Sequence, residues 1–254
     1  MSTKKRGNFW KDVNRVIKEA DVLLLLLDAR YVDGSRNAEI EDKVRSVKKP
    51  LIYVITKSDL ADKKNVEAFK KTLKPCVFVS VRERSGRTRL KERIIIEGER
   101  VYGNKERINI GVLGYPNVGK SSLINYMKGH HSAHTSSLSG YTKTTQTVKS
   151  DNRLYFIDTP GVIPYHEKDA VKHVAMSVID FMKVRDPDIM VMEMMRKYPG
   201  RIEAHFGVSV NEDKEKAIAE IARKKNVLMR GGVPDVERIC RSILKDIQNG
   251  KIRL

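Results

Sequence analysis

Residues 114–121, Gly-Tyr-Pro-Asn-Val-Gly-Lys-Ser, constrain this chain more than any other stretch. They read G-x-x-x-x-G-K-S, a spacing that works only as a loop leaving a strand and opening a helix. The glycines let backbone N–H groups close around a phosphate at the positive end of that helix. The apolar run 108–113 supplies the strand, and a helical pattern over 121–127 supplies the helix. Lys120 is expected to reach β- and γ-phosphate oxygens and Ser121 to ligate Mg²⁺. Asn117, Val118, Gly119 and Ser122 complete the expected phosphate cradle.

The loop does not stand alone. Short apolar runs at 22–27, 51–55, 77–79, 108–113 and 154–157 end in polar turns, the pattern of strands buried on both faces of a parallel sheet. Helical patterns at 37–47, 66–73 and 88–101 separate them, so the class is α/β. Residues 145–149 read as a strand joined to 154–157 by a hairpin, which predicts a mixed sheet with one antiparallel edge. Beyond residue 162 the strand patterns stop. Helices are expected at 170–182, 212–224 and 234–247, with a boundary at Asp186-Pro187-Asp188. The expected division is therefore 1–185, a nucleotide-binding domain, and 186–254, a small all-helical domain.

Two further motifs follow strands. Asp158-Thr-Pro-Gly161 lies about forty residues after the phosphate loop. Its carboxylate is placed to hold Mg²⁺, and the Gly161 N–H to sense a γ-phosphate. Thr56-Lys57-Ser58-Asp59 resembles the N-K-x-D element of GTPases, in which the Asp accepts from guanine N1–H and the 2-amino group. Adenine offers neither donor, so Asp59 would favour GTP by leaving an unpaired carboxylate against the wrong base. Thr56 stands where Asn is usual. Ser80-Val81 sits where a backbone N–H meets guanine O6.

The order of these motifs is rotated. Ordinary GTPases run phosphate loop, switch Thr, D-x-x-G, N-K-x-D; here Thr56–Asp59 and Ser80 come before the loop, Thr142 and Asp158. All would still lie at the carboxyl ends of sheet strands, so the order indicates a circularly permuted P-loop GTPase domain. With Asp28-Ala-Arg30, Arg36-Asn37, Gly140-Tyr-Thr142-Lys143 and Gly231-Gly232-Val-Pro234-Asp235, nearly the whole chain resembles the circularly permuted ribosome-assembly GTPases of the YlqF/RbgA type. The F-P-G-H-M segment that opens bacterial members is replaced here by Asn8-Phe9-Trp10-Lys11, which fits archaeal or eukaryotic relatives better. The resemblance implies GTP hydrolysis in support of large-ribosomal-subunit maturation, with a C-terminal domain in contact with rRNA. A translation- or tRNA-related GTPase is the alternative that stays open.

Within that resemblance, Lys120, Thr142, Gly161 and Asn117 are the residues expected to act at the reacting phosphate, and Ser121, Thr142 and Asp158 to hold Mg²⁺. Val162 occupies the place where many GTPases carry the water-orienting Gln, so slow intrinsic turnover is expected. Asn117 is the candidate for holding K⁺ against the phosphates. His130, His131 and His134 fall in the presumed first switch, in a Ser/Thr-rich loop unsuited to a metal site.

Charge adds a partner class. Fifty Lys and Arg against 32 Asp and Glu give +18, which favours a polyanion. Arg82, Arg84, Arg87, Arg89, Lys91 and Arg93 enter a helix together and suggest an RNA-facing patch. Two cysteines, Cys76 and Cys240, exclude a disulfide scaffold and read as core residues. No apolar run approaches the roughly 20 residues of a membrane span. The expectation is a cytoplasmic monomer that binds neither membrane nor DNA.

Overall fold

The computed structural model describes residues 3–61, 63–128, 146–150, 152–164 and 167–254. Contacts divide the chain into two compact units, Met1–Glu167 and Lys168–Leu254. The expected division after residue 185 thus falls inside the second unit.

The first unit is built on a six-stranded sheet. In chain order its elements are α1 (Thr3–Glu19), β1 (Val22–Asp28), α2 (Val32–Ser35), α3 (Ala38–Ser46), β2 (Leu51–Thr56), α4 (Lys63–Thr72), β3 (Cys76–Val79), α5 (Arg87–Tyr102), β4 (Ile108–Gly114), α6 (Lys120–Lys128), β5 (Gln146–Lys149) and β6 (Leu154–Asp158). The strands lie in the order β3-β2-β1-β4-β6-β5. All neighbours run parallel except β5, which pairs antiparallel with β6 as the hairpin pattern predicts. Every residue of β1 is buried, Val22 through Leu27 at 0% exposure, because helices cover both faces of the parallel sheet. The chain winds from β1 outward to β3, then crosses back to β4 on the other side of β1. That reversal makes a crevice at the carboxyl ends of β1 and β4, where open α/β sheets take ligands.

Helix α1 is absent from the sequence reading. Val13, Val16 and Ile17 are buried along it, and it packs on β4 at Gly111. A Cβ on that glycine would lie 2.7 Å from the Val16 side chain and 2.6 Å from that of Leu23. The missing side chain is what lets helix and strand approach.

The second unit is all helical: α7 (Ala170–Ala175), a 3₁₀ turn (Phe181–Lys183), α8 (Pro187–Lys197), α9 (Arg201–Phe206), α10 (Lys214–Lys224) and α11 (Val236–Gln248). The single helix expected over 170–182 stops early because Ser177 takes a left-handed φ of 60°. Gln248 then fastens the broken end, its amide donating 2.8 Å bonds to the carbonyls of Val174 and Ile179. Asp186-Pro187-Asp188 opens α8, with Pro187 in its first turn, where a missing N–H costs nothing. Helices α10 and α11 lie where their apolar periodicity puts them. Ile239, Cys240, Ile243, Leu244 and Ile247 form one buried stripe. Among the described residues no helix is long and apolar enough to cross a membrane.

Candidate functional site

The motifs, scattered from residue 28 to residue 161, gather at one edge of the sheet. Asp28 ends β1, Thr56 ends β2, Ser80 follows β3, Gly114 ends β4 and Asp158 ends β6. Parallel register explains the first contact among them. Asp28 pairs with Thr56, so the next residue, Lys57, sits beside the Asp28 carboxylate, and its ammonium donates a 2.8 Å bond to Oδ2.

Asp28 is fully buried and doubly held. Arg30 grips it bidentately, Nε to Oδ1 at 2.9 Å and a terminal nitrogen to Oδ2 at 2.7 Å. Burial alone would raise its pKa. The Arg30 bonds and the Lys57 charge outweigh that and hold the carboxyl well below the usual range. Lys57 adopts a left-handed φ of 55° and also donates to the Asn117 carbonyl at 2.9 Å. Asn117 is itself left-handed, at φ 60°, a conformation Asn tolerates better than most residues. The D-A-R and T-K-S-D motifs therefore brace the phosphate loop from below.

Thr56 contributes to the same brace. Its buried hydroxyl lies 2.6 Å from the Val118 carbonyl and 3.0 Å from that of Leu27. The shorter side chain in the usual Asn position still ties strand β2 to the phosphate loop. After β3, the Ser80 hydroxyl donates to Asp59 Oδ1 at 2.6 Å and accepts from the Glu83 N–H at 3.0 Å. One carboxylate oxygen of Asp59 is thus fixed by Ser80. The Ser80–Ser85 bridge closes this turn, and Gly86 seals it. A Cβ on Gly86 would run into the Phe78 carbonyl, and its φ of +85° favours glycine as well.

The phosphate loop is closed on itself. Lys120 is buried, its ammonium 2.7 Å from the Tyr115 carbonyl and 3.2 Å from that of Gly114. Burial lowers its pKa to about 8, opposed by the nearby Asp158 charge. Ser121 Oγ donates to Asp158 Oδ2 at 2.9 Å. Hydroxyl and carboxylate oxygens side by side at a helix N-terminus are the hard donors Mg²⁺ prefers. Ser122 is exposed on the first turn of α6. Gly161 lies flush on the loop: a Cβ there would overlap the backbone of Pro116. The Val162 N–H bonds the Gly114 carbonyl at 3.2 Å, with its side chain buried. That placement leaves it nothing with which to orient a water.

Sequence reasoning missed one link. Tyr115, inside the loop, is fully buried and donates a 2.5 Å bond to Glu167, the last residue of the first unit. Burial and the Glu167 carboxylate both push the phenol above its usual range. Thr142, Gly140, Lys143 and the histidines His130, His131 and His134 lie outside the described residues.

The basic run 82–93 does not form one surface. Arg87 turns inward, donating to the Met127 carbonyl at 2.9 Å with its guanidinium 5.9 Å from the Tyr126 ring. Arg89 and Arg93 lie on another face of α5, beside strand β3.

A family profile described as 50S ribosome-binding GTPase matches residues 109–229. The chain is 36% identical over 247 residues to the GTP-binding protein MJ1464 of Methanocaldococcus jannaschii, covering 95% of this chain and 65% of that protein. It is 30% identical to nucleolar GTP-binding protein 2 of Neurospora crassa, covering 96% of this chain and 40% of that one. The chain thus spans two thirds or less of the length of these relatives. In structure it is similar to GNP-bound YlqF from T. maritima, with a TM-score of 0.64, 22% identity, and coverage of 97% and 94%. The GDP-bound form of that protein gives a TM-score of 0.65, 21% identity and 94% coverage of each chain.

Proposed function

We propose that this chain, which shares the fold of YlqF, binds and hydrolyses GTP while assisting assembly of the large ribosomal subunit. The observation that carries this reading is the convergence of loops from rotated positions in the chain. Lys57 and Thr56 grip the carbonyls of Asn117 and Val118, and Ser80 fixes Asp59. Such a brace has a purpose if base and phosphates are held by one ligand.

The residues divide the work. Asp59 accepts from guanine, and the Val81 segment supplies the O6 contact. Backbone N–H groups of Val118, Gly119 and Lys120, with Ser121 and Ser122 at the start of α6, cradle the phosphates. The Lys120 ammonium, now on two carbonyls, turns to the phosphate oxygens. Ser121, Asp158 and Thr142 would hold Mg²⁺, which neutralises charge developing on the phosphates. Gly161 senses the γ-phosphate. With Val162 buried, intrinsic turnover is slow, and a K⁺ ion at Asn117 or a group from the ribosomal particle supplies the missing stabilisation.

The partner is a large-subunit precursor and its rRNA, with residues 186–254 contributing to the contact, and the chain acts as a monomer without membrane or DNA. The place of action is the cytoplasm of a cell lacking a nucleus, or the nucleolus that the relatives' names specify. The test is sedimentation with large-subunit particles in KCl buffer, comparing a non-hydrolysable GTP analogue with GDP. The expected outcome is co-sedimentation with the analogue and release with GDP. Equal weak binding in both states, lost at modest salt, would reduce the contact to the +18 charge.

A further inference from the structure

Two strands, β2 and β1, separate β4 and its phosphate loop from β3, the sheet's outer edge. Beside that edge lies a cleft of about 220 Å³ that nucleotide binding does not use. One wall is a single face of α5, carrying Arg89, Glu92, Arg93 and Ile96; the other is Phe78 of β3, and Lys70 reaches in from α4. Lys70 holds its ammonium 5.0 Å from the Phe78 ring centroid. Ile96 is half exposed, 52%, with no core to cover it. Burial pushes the Cys76 thiol in the same cleft up to about 11, so it lines the space as a neutral group.

Apart from Lys70, which pairs with Glu67 at 2.9 Å, the cations here are underused. Arg89 is exposed and its side chain has no partner among the described residues, and the same holds for Arg82 and Arg84 on the turn that leads into α5. Arg93 has one contact of 3.3 Å to Glu97. Lys70, Arg89 and Arg93 line the cleft against a single carboxylate, Glu92, and cations in such excess repel one another and lower their free energy by meeting an anion. Charge alone would suit any polyanion. The half-buried Phe78 ring and the guanidinium planes beside it narrow the choice, because together they offer a stacking edge for an unstacked base with cations for the flanking phosphates. A duplex, with its bases buried, cannot use the ring.

We propose that this cleft binds single-stranded RNA, one base stacking on Phe78 while Arg89, Arg93 and Lys70 hold neighbouring phosphates. The proposal rests on the rRNA partner named above and assigns it a site, while being independent of nucleotide binding. The test uses the full chain, a short uridine oligoribonucleotide carrying 4-thiouridine, fluorescence anisotropy and crosslink mapping, with affinity for a fluorescent GDP measured on every variant. Arg89→Glu with Arg93→Glu is expected to weaken RNA binding by about tenfold or more through lost phosphate contacts, with GDP affinity unchanged. Phe78→Leu keeps bulk but removes the ring, and is expected to cost about fivefold or more. Crosslinks are expected within residues 76–96. Unchanged RNA affinity in the Arg double variant overturns the proposal, as do crosslinks confined to other segments. Duplex RNA binding as tightly as single strands, or polyglutamate displacing RNA charge for charge, also overturns it. Failure of the wild-type chain to bind GDP would instead sink the GTPase reading and leave this one standing.

Discussion

At the scale of single residues, the most consequential group is Lys120. Its ammonium is enclosed by the phosphate loop on two carbonyls, and burial, opposed by the Asp158 charge, brings its pKa to about 8. The folded pKa lies below the ordinary Lys value, so the nucleotide-free protein binds fewer protons than the unfolded chain between about pH 8 and pH 10.5. Stability of the nucleotide-free chain therefore rises with pH through that window, and the cost of burying the charge is fully present below it. A phosphate reverses the sign locally, because the anion favours charged Lys and raises its pKa again. Binding of GDP is thus expected to take up a fraction of a proton at about pH 8.5 and none at about pH 6.5, so affinity rises as pH falls from about 9 to 7. Calorimetric titrations in two buffers of different ionisation enthalpy read that uptake directly. Zero uptake at the higher pH would show that Lys120 is already fully charged before the nucleotide arrives.

At the scale of elements, amphipathic pattern and cap chemistry divide the stability of α11 between them. Asp235 accepts the Arg238 N–H at 3.0 Å as the N-cap, and Ile243 is fully buried in the apolar stripe. Asp235→Ala is expected to cost about 1 kcal/mol, whereas Ile243→Ala should cost about 2–5 kcal/mol through the cavity it leaves. Thermal unfolding followed by circular dichroism would rank them, and equal losses would mean the stripe is not packed as described. This helix was legible in the sequence because period 3.6 runs unbroken through it, and the strands were legible because runs such as 22–27 are apolar without interruption. Helix α1 was not, since its stripe begins only at Trp10, after a basic polar stretch that resembles a tail. Nor was α8, whose Met-rich face followed a Pro that reads equally well as a boundary. In the site, the gathering of the motifs at strand ends was legible from their places after apolar runs, but the brace was not. Asp28 and Lys57 are 29 positions apart, and only the register of two parallel strands makes them neighbours. Tyr115 and Glu167 are joined the same way, by fold and not by spacing.

At the scale of the molecule, rotating the motif order changes which part of the chain the nucleotide switch is tied to. In this chain the strand that ends at Asp158 runs through Gly161 and Val162 to Glu167, and the helical unit begins at the next residue. Past Gly161, among the described residues, the Val162 N–H on the Gly114 carbonyl and the Tyr115 hydroxyl on Glu167 anchor that segment to the phosphate loop. If the γ-phosphate moves Gly161, the displacement has a short covalent path into Lys168–Leu254 and no intervening domain to absorb it. A flexible linker lengthens that path without touching either anchor. Inserting a Gly-Ser linker of about eight residues between Glu167 and Lys168 is therefore expected to leave GDP affinity within about twofold while abolishing the nucleotide dependence of particle binding. Anisotropy with a fluorescent GDP and co-sedimentation with large-subunit particles measure the two quantities on one preparation. If the linker variant still releases particles only with GDP, the nucleotide state is read by the first unit's own surface, and the permuted order serves some purpose other than pulling on the helical unit.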